Sequence, residues 1–191
     1  MSVLRRSYVE IKLLEPYIRT DIIEFIRFSP KGLRKMANAD QMQNTVPAAA
    51  KQLGALGVIP FLGLAIAAVL GSGAWINDAL VALLAYGAVI LSFLGGIQWG
   101  FAVSSPDITP RQTFNRLSLS VAPSLIAWGA LLLPLGPGLV VLSVSFILVL
   151  MVDLRTVNRS GAPSWYPKLR WPLTICAVYA LSTGVYVLFS L

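Results

Sequence analysis

The fold is decided by the stretch Ala79–Val103, which reads ALVALLAYGAVILSFLGGIQWGFAV. None of its residues carries a charge, and the part up to Phe93 offers only Tyr86 and Ser92 as polar side chains. A helix on the surface of a soluble protein shows a polar stripe, and this stretch has none. It is also longer than the roughly 20 residues that cross the hydrocarbon core of a bilayer. The stretch therefore predicts a transmembrane helix.

Further apolar stretches share this character. They run from about Leu53 to Ser72, Leu117 to Gly136, Gly138 to Leu154 and Pro172 to Leu191. Charged residues make up 12% of the chain, against about 25% in a soluble domain. We therefore predict an all-α, multi-pass helical membrane protein with about five transmembrane helices in one domain, residues 53–191. The fourth stretch is the shortest, and it either crosses fully or forms a re-entrant segment.

The basic residues near the membrane fall on alternate loops. They are Lys51 before the first span, Arg111 and Arg116 in the second loop, and Arg155, Arg159, Lys168 and Arg170 in the fourth loop. Because Lys and Arg collect in cytoplasmic loops, we predict a cytoplasmic amino terminus and a carboxyl terminus outside. The same bias explains the net charge of +7, so no nucleic-acid partner is predicted. The expected location is the bacterial cytoplasmic (inner) membrane.

Residues 1–52 have a different composition and are predicted to form a cytoplasmic tail. Within them, Pro16–Ser29 places Ile18, Ile22 and Phe25 at helical spacing, which is typical of an amphipathic helix lying on a membrane surface. Two other interpretations stay open. The segment is a mobile tail, or the protein starts at Met36 and residues 1–35 do not belong to it.

The sequence offers little catalytic or metal-binding chemistry. It contains no histidine, which is the commonest general base and transition-metal ligand. Its single cysteine, Cys176, lies in an apolar run, where a thiol usually packs as a small hydrophobe. We predict no catalytic residue, no metal site and no cofactor. The sequence therefore favours a protein that is not an enzyme.

The second span holds the most informative group of residues. Ala88, Ser92, Gly96 and Gly100 recur every fourth residue and share one helix face, and Gly95 lies beside them. Small residues on one face allow a neighbouring helix to approach closely. The amide of Gln98 needs a hydrogen-bond partner within the bilayer, and Trp99 suits an interfacial belt. The candidate motif for ligand binding or helix packing is Ser92, Gly95, Gly96, Gln98, Trp99 and Gly100.

The fourth loop is a second candidate, because it is the densest polar cluster. Its residues of interest are Asp153, Arg155, Asn158, Arg159, Trp165, Lys168 and Arg170, with Tyr166 among them and Trp171 directly after them. Asp153 is expected to pair with the nearby Arg155. The aromatic residues suit the membrane interface, and the basic ones suit anionic lipid headgroups. The loop therefore predicts either membrane anchoring or a site for a phosphorylated or carboxylated ligand.

These residues resemble a known family. The stretch Ser92–Phe101, with Ala85–Gly87 before it and Pro163–Tyr166 and Leu169–Arg170 after it, resembles the transmembrane protein 69-like family, or domain of unknown function 3429. The resemblance covers roughly residues 46–191. It implies a small multi-pass helical protein of bacteria and mitochondria without an established activity. It supplies no catalytic residues, but it supports Gly95–Gly100 as the central motif.

Three functions fit these observations. The first is a non-enzymatic membrane scaffold or assembly factor. The second is a binder or transporter of a small apolar or amphipathic ligand such as a tetrapyrrole, a quinone or a lipid. The third is a lipid-directed enzyme that uses Asp153, Arg155 and Arg170. The expected partners are the lipid bilayer and either a membrane protein or a second copy of the chain, and the small ligand is unknown.

Overall fold

The computed structural model describes residues 45–104, 109–156 and 162–190. These residues form five α-helices and no strand: α1 (Ala48–Leu70), α2 (Ala74–Ser104), α3 (Pro110–Leu131), α4 (Leu135–Thr156) and α5 (Tyr166–Ser190). The prediction of an all-α, multi-pass protein is confirmed. The predicted tail lies outside the described residues up to Asn44, so its three interpretations remain predictions.

Length and composition allow four of the described helices to cross a membrane. These are α1, α2, α4 and α5. The region predicted as the third span forms α3, which is long but carries Arg111, Asn115 and Arg116 in its first turns. The fourth stretch extends to 22 residues in α4, which is enough to cross the roughly 30 Å of hydrocarbon.

The start of α3 differs from the prediction because a capping box sets it. The hydroxyl of Thr109 accepts a hydrogen bond from the Gln112 backbone at 3.3 Å, and the Gln112 side chain accepts one from the Thr109 backbone at 3.2 Å. Pro110 occupies the first helical position, where its missing N–H costs nothing. The helix therefore begins at Pro110, ahead of the apolar run that starts near Leu117.

Helix α2 is the centre of the bundle and packs against each of the other described helices. Around it, α1 packs against α5, α5 against α4, and α4 against α3, while α1 and α3 do not touch one another within the described chain. The largest fully buried side chains are Leu80, Leu83, Leu91, Leu139, Leu142, Phe146 and Leu181. They come from α2, α4 and α5, so these three helices enclose the core.

The short connection between α3 and α4 requires a close backbone approach at Gly138. A Cβ atom added there would lie 2.7 Å from the carbonyl oxygen of Ala130 and 3.1 Å from the side chain of Leu84. Only glycine leaves room for these neighbours. The Gly138 position therefore holds the amino-terminal end of α4 against α2 and the end of α3.

Candidate functional site

A buried carboxylate, Asp153, joins three helices near the end of the bundle at which α5 begins. Its Oδ2 accepts a hydrogen bond from Arg170 Nε at 2.8 Å. Its Oδ1 accepts one from Gln98 Nε2 at 2.8 Å. The hydroxyl of Tyr166 donates a longer bond to Oδ2 at 3.5 Å. We call Gln98, Asp153, Tyr166 and Arg170 the polar cluster; it links α2, α4 and α5.

The ion pair within this cluster is shielded from solvent. The side chains of Arg170 and Asp153 expose only 5% and 3% of their surfaces. Removing two charges from water is costly, and good geometry with further hydrogen bonds is needed to offset that cost. Gln98 and Tyr166 supply such bonds. Because both carboxylate oxygens accept hydrogen bonds, Asp153 is placed to hold the helices in register.

This geometry corrects two predictions about the fourth loop. The partner of Asp153 is Arg170, not Arg155, whose side chain is exposed. One helical turn of α5 separates Tyr166 from Arg170, so both reach the same carboxylate. Arg170 was also expected to meet lipid headgroups, but it is 96% buried, with only 4% of its surface exposed.

The other predicted residues of that loop lie around the cluster. Trp165 is half-buried, its ring centroid 6.4 Å from that of Tyr166. Lys168 is exposed. Asn158 and Arg159 lie outside the described residues. The structure therefore brings Asp153, Trp165 and Arg170 together and leaves Arg155 and Lys168 on the surface.

The predicted motif of α2 divides between two faces of the helix. Gln98 faces the bundle and finds its partner in Asp153, as an amide in the membrane requires. Gly95 is buried, and a Cβ there would lie 2.5 Å from the carbonyl oxygen of Ser120 on α3. Gly95 is thus a point of close approach between α2 and α3.

The remaining small residues of the motif lie elsewhere. A Cβ on Gly96 or Gly100 would meet nothing within 4 Å in the described chain. Ser92 is half-buried, and Trp99 is 45% exposed. The predicted close packing within the chain is therefore made by Gly95, and Gly96 and Gly100 face outward.

An apolar groove of about 520 Å³ lies between α1, α2 and α5. Its walls include Leu53, Gly57, Ile97, Phe101 and Leu173, and the residues of α5 that line it recur on one face from Tyr166 to Ala177. This is about 16 Å along the helix axis, on the order of half the hydrocarbon core. We call this space the α1–α5 groove.

Aromatic rings in contact with one another line the two ends of the α1–α5 groove. At its deep end, the ring of Phe61 makes edge-to-face contacts with Tyr86 at 4.9 Å and with Phe146 at 5.9 Å. At the end where α5 begins, Phe101 and Tyr166 are in edge-to-face contact at 5.3 Å. Such arrangements fix the rings against one another, so the groove has defined walls.

Two polar atoms in the walls of this groove are buried without a hydrogen-bond partner among the described residues. They are Nη2 of Arg170 and Oγ1 of Thr174. Both residues line the groove, and four residues apart on α5 they lie on the same helix face. A buried polar atom without a partner is uncommon in folded proteins and requires an explanation.

A second, smaller cavity of about 310 Å³ lies on the other side of the polar cluster. Gln98, Gln112, Arg116 and Asp153 line it, so it is more polar than the α1–α5 groove. Phe101 and Tyr166 line both spaces. These two rings therefore form the wall that separates a polar cavity from an apolar one.

Sequence reasoning missed several residues of this site. Thr174 lies in an apolar run and gave no signal, because only the packing reveals that its hydroxyl lacks a partner in the described part of the chain. Phe61 and Phe101 were not among the predicted site residues. The neighbours of Phe61 three and four residues along the chain, Leu64 and Ala65, are also apolar, so periodicity did not distinguish the groove side of α1 from its lipid side. Among the described residues, no group of three Cys, Asp or Glu side chains could hold a metal ion.

Comparison with known proteins agrees with this architecture. The model of the family described as Protein of unknown function (DUF3429) matches residues 46–186. A protein named Transmembrane protein 69 from Xenopus tropicalis is 36% identical over 162 residues, which cover 83% of this chain and 58% of the frog protein. A protein of the same name from Mus musculus is 34% identical over 97 residues, which cover 49% of this chain and 38% of the mouse protein.

The matched region accounts for less than two thirds of either relative, so this chain corresponds to part of their length. No solved structure matches the chain. The apolar helices and the named relatives together identify an integral membrane protein. Since the family model spans residues 46–186, which include all of α1 to α4 and most of α5, the chain belongs to the DUF3429 family.

Proposed function

We propose that this protein binds a small apolar or amphipathic ligand in the α1–α5 groove. The observation that supports this function is the groove itself, a partly open space of about 520 Å³. Ligand sites typically enclose about 300–1,000 Å³ and combine mostly apolar walls with a few polar groups. Here the polar groups are Arg170 and Thr174, set among aliphatic and aromatic side chains.

The arrangement of the helices supports the same function. In α1, only Phe61, Ala65 and Ala68 are buried, and all three lie in its second half. The first half of α1 lines the groove with Leu53 and Gly57. A ligand from the bilayer would therefore reach the groove by displacing lipid chains or by a small outward movement of α1.

A groove-filling variant tests this proposal. Among the described residues, a Cβ on Gly57 would meet just the Tyr86 hydroxyl, at 3.9 Å. Gly57 lines the groove, so we expect Gly57→Leu to place its side chain there. The matched control is Gly63→Leu on the same helix, where a Cβ would meet no described atom within 4 Å. Gly63 is exposed and does not line the groove.

The measurement is native mass spectrometry of protein released gently from its own membrane. We expect a reproducible small molecule on the native protein and on Gly63→Leu, and its loss from Gly57→Leu. The mass would name the ligand class. If the native protein carries no small molecule, or if Gly57→Leu retains it fully, the groove is not the binding site.

A second candidate function is assembly through α2, as a membrane scaffold or a homo-oligomer. The outward-facing Gly96 and Gly100 favour it, because their four-residue spacing allows another helix to approach closely. The location in a bacterial inner membrane stays a prediction, and so does the orientation with its amino terminus in the cytoplasm. The named relatives come from a frog and a mouse.

A further inference from the structure

The chemistry of the groove walls indicates which head group the ligand carries. Resting on the proposed function, we infer that the ligand is an uncharged amphiphile whose carbonyl oxygen accepts hydrogen bonds from Arg170 Nη2 and Thr174 Oγ1. Ester, amide and quinone carbonyls all belong to this class. The apolar part of the ligand would lie along the groove towards Phe61 and Ala177.

The first argument comes from the orientation of Thr174. Hydroxyl side chains in these helices usually donate to the backbone carbonyl four residues earlier, which is a common arrangement within helices. Ser143, Ser145 and Thr183 do so at 2.9, 2.7 and 2.9 Å. Thr174 makes no such bond, although its side chain is buried. Its hydroxyl is therefore left for a partner that is not part of the described chain.

The second argument comes from the geometry of a carbonyl oxygen. Arg170 Nη2 is a donor, and the Thr174 hydroxyl can donate as well. Because the two residues are one helical turn apart and both line the groove, we expect one acceptor to reach both. A carbonyl oxygen has two lone pairs and satisfies two donors at once. Both atoms are fully buried, so binding would also shift the side chains that cover them.

The third argument concerns charge. Among the described residues that line the groove, Arg170 alone is charged at neutral pH. Asp153 already supplies its negative partner at 2.8 Å. A second anion in this apolar space would be buried without a cation of its own, which is costly. The charge balance therefore favours a neutral head group over a carboxylate or a phosphate.

Three probes with nearly the same hydrocarbon chain test the inference: methyl oleate, oleate at pH 9 and heptadecene. Methyl oleate offers a neutral carbonyl, oleate offers an anion, and heptadecene offers no hydrogen-bond acceptor. Binding to the full-length protein in detergent is measured by native mass spectrometry. We expect methyl oleate to bind about tenfold more tightly than heptadecene, as one or two hydrogen bonds allow, and more tightly than oleate.

The variant Thr174→Val removes the hydroxyl and keeps the shape of the side chain. We expect it to weaken methyl oleate about threefold to tenfold and to leave heptadecene unchanged. The matched control, Thr183→Val, lies on the same helix away from the groove and should change neither. Because the Thr174 hydroxyl has no partner among the described residues, the variant should fold as stably as the native protein.

The outcomes separate this inference from the proposed function. Tighter binding of oleate than of methyl oleate would overturn the neutral head group. Equal binding of all three probes, lost in Gly57→Leu, would keep the groove as a ligand site and overturn the head-group recognition. Binding of no probe, or binding that Gly57→Leu does not reduce, would overturn both.

Discussion

Arg170 and Asp153 form an ion pair across 17 residues of sequence, with Nε and Oδ2 2.8 Å apart and both side chains nearly inaccessible to solvent. The pair joins the last turn of α4 to the first turns of α5. It lies between the polar cavity and the α1–α5 groove, since Asp153 lines the former and Arg170 the latter. The same two residues therefore stabilise the bundle and shape the candidate site.

Replacing one residue of this ion pair should lower the free energy of unfolding more than replacing both. In Arg170→Met, Asp153 is left as a buried charge, and we expect a loss of about 3–5 kcal/mol in the free energy of unfolding. The double variant Asp153→Leu, Arg170→Met should recover much of that loss. Unfolding in detergent measures both. The control is Arg155→Met, which replaces an exposed arginine and should change stability little. Equal losses of stability in Arg170→Met and Arg155→Met would contradict a stabilising role for the buried pair.

Gln98 should contribute to stability through Asp153. In Gln98→Leu, the Oδ1 atom of Asp153 loses the donor that lies 2.8 Å away, and we expect a cost of about 1–3 kcal/mol. A scaffold that depends on close helix packing alone would instead tolerate this change. Trp99→Leu is the neighbouring control, because Trp99 faces outward. The midpoint of thermal unfolding in detergent distinguishes the two expectations, and an unchanged midpoint for Gln98→Leu would remove this role.

Alanine substitutions at the adjacent glycines Gly95 and Gly96 should have opposite effects on stability. Gly95→Ala places a methyl group 2.5 Å from the Ser120 carbonyl oxygen, so α2 and α3 must move apart at a cost of about 1–3 kcal/mol. Gly96→Ala meets no neighbour and should be neutral or stabilise the helix by up to about 1 kcal/mol. Chemical denaturation of the two variants under one condition compares them. A larger loss in Gly96→Ala would show that packing within the chain uses that face.

Assembly through α2 makes a separate prediction. If a second helix packs on Gly96 and Gly100, then Gly96→Leu should lower the oligomer mass without lowering the yield of folded protein, because a bulky side chain keeps the helices apart. Light scattering of the detergent complex measures the mass. Gly63→Leu, an exposed glycine of α1, serves as the control. An unchanged oligomer in Gly96→Leu would argue against this face as an interface.

The helices themselves were largely predictable from sequence, because each apolar stretch is long enough to cross a bilayer and each connection holds turn residues or charges. The residues at which the helices begin and end were less predictable. The start of α3 at Pro110 depends on the reciprocal bonds between Thr109 and Gln112, which lie ahead of the apolar signal. Arg111 and Arg116, which were expected in the second loop, lie in the first turns of α3.

The sequence by itself determined that this is an all-α membrane protein, that Gln98 needs a partner and that Asp153 needs a cation. These conclusions follow from the cost of placing polar groups in hydrocarbon, which holds whatever the fold. Only the tertiary structure decided that the cation is Arg170 rather than Arg155 and that Gly95 rather than Gly96 meets α3. It also decided that the Thr174 hydroxyl is buried in the groove wall with no partner among the described residues. Lipid and protein neighbours are equally apolar in a membrane, so the pattern of hydrophobic residues does not tell which side of a helix packs.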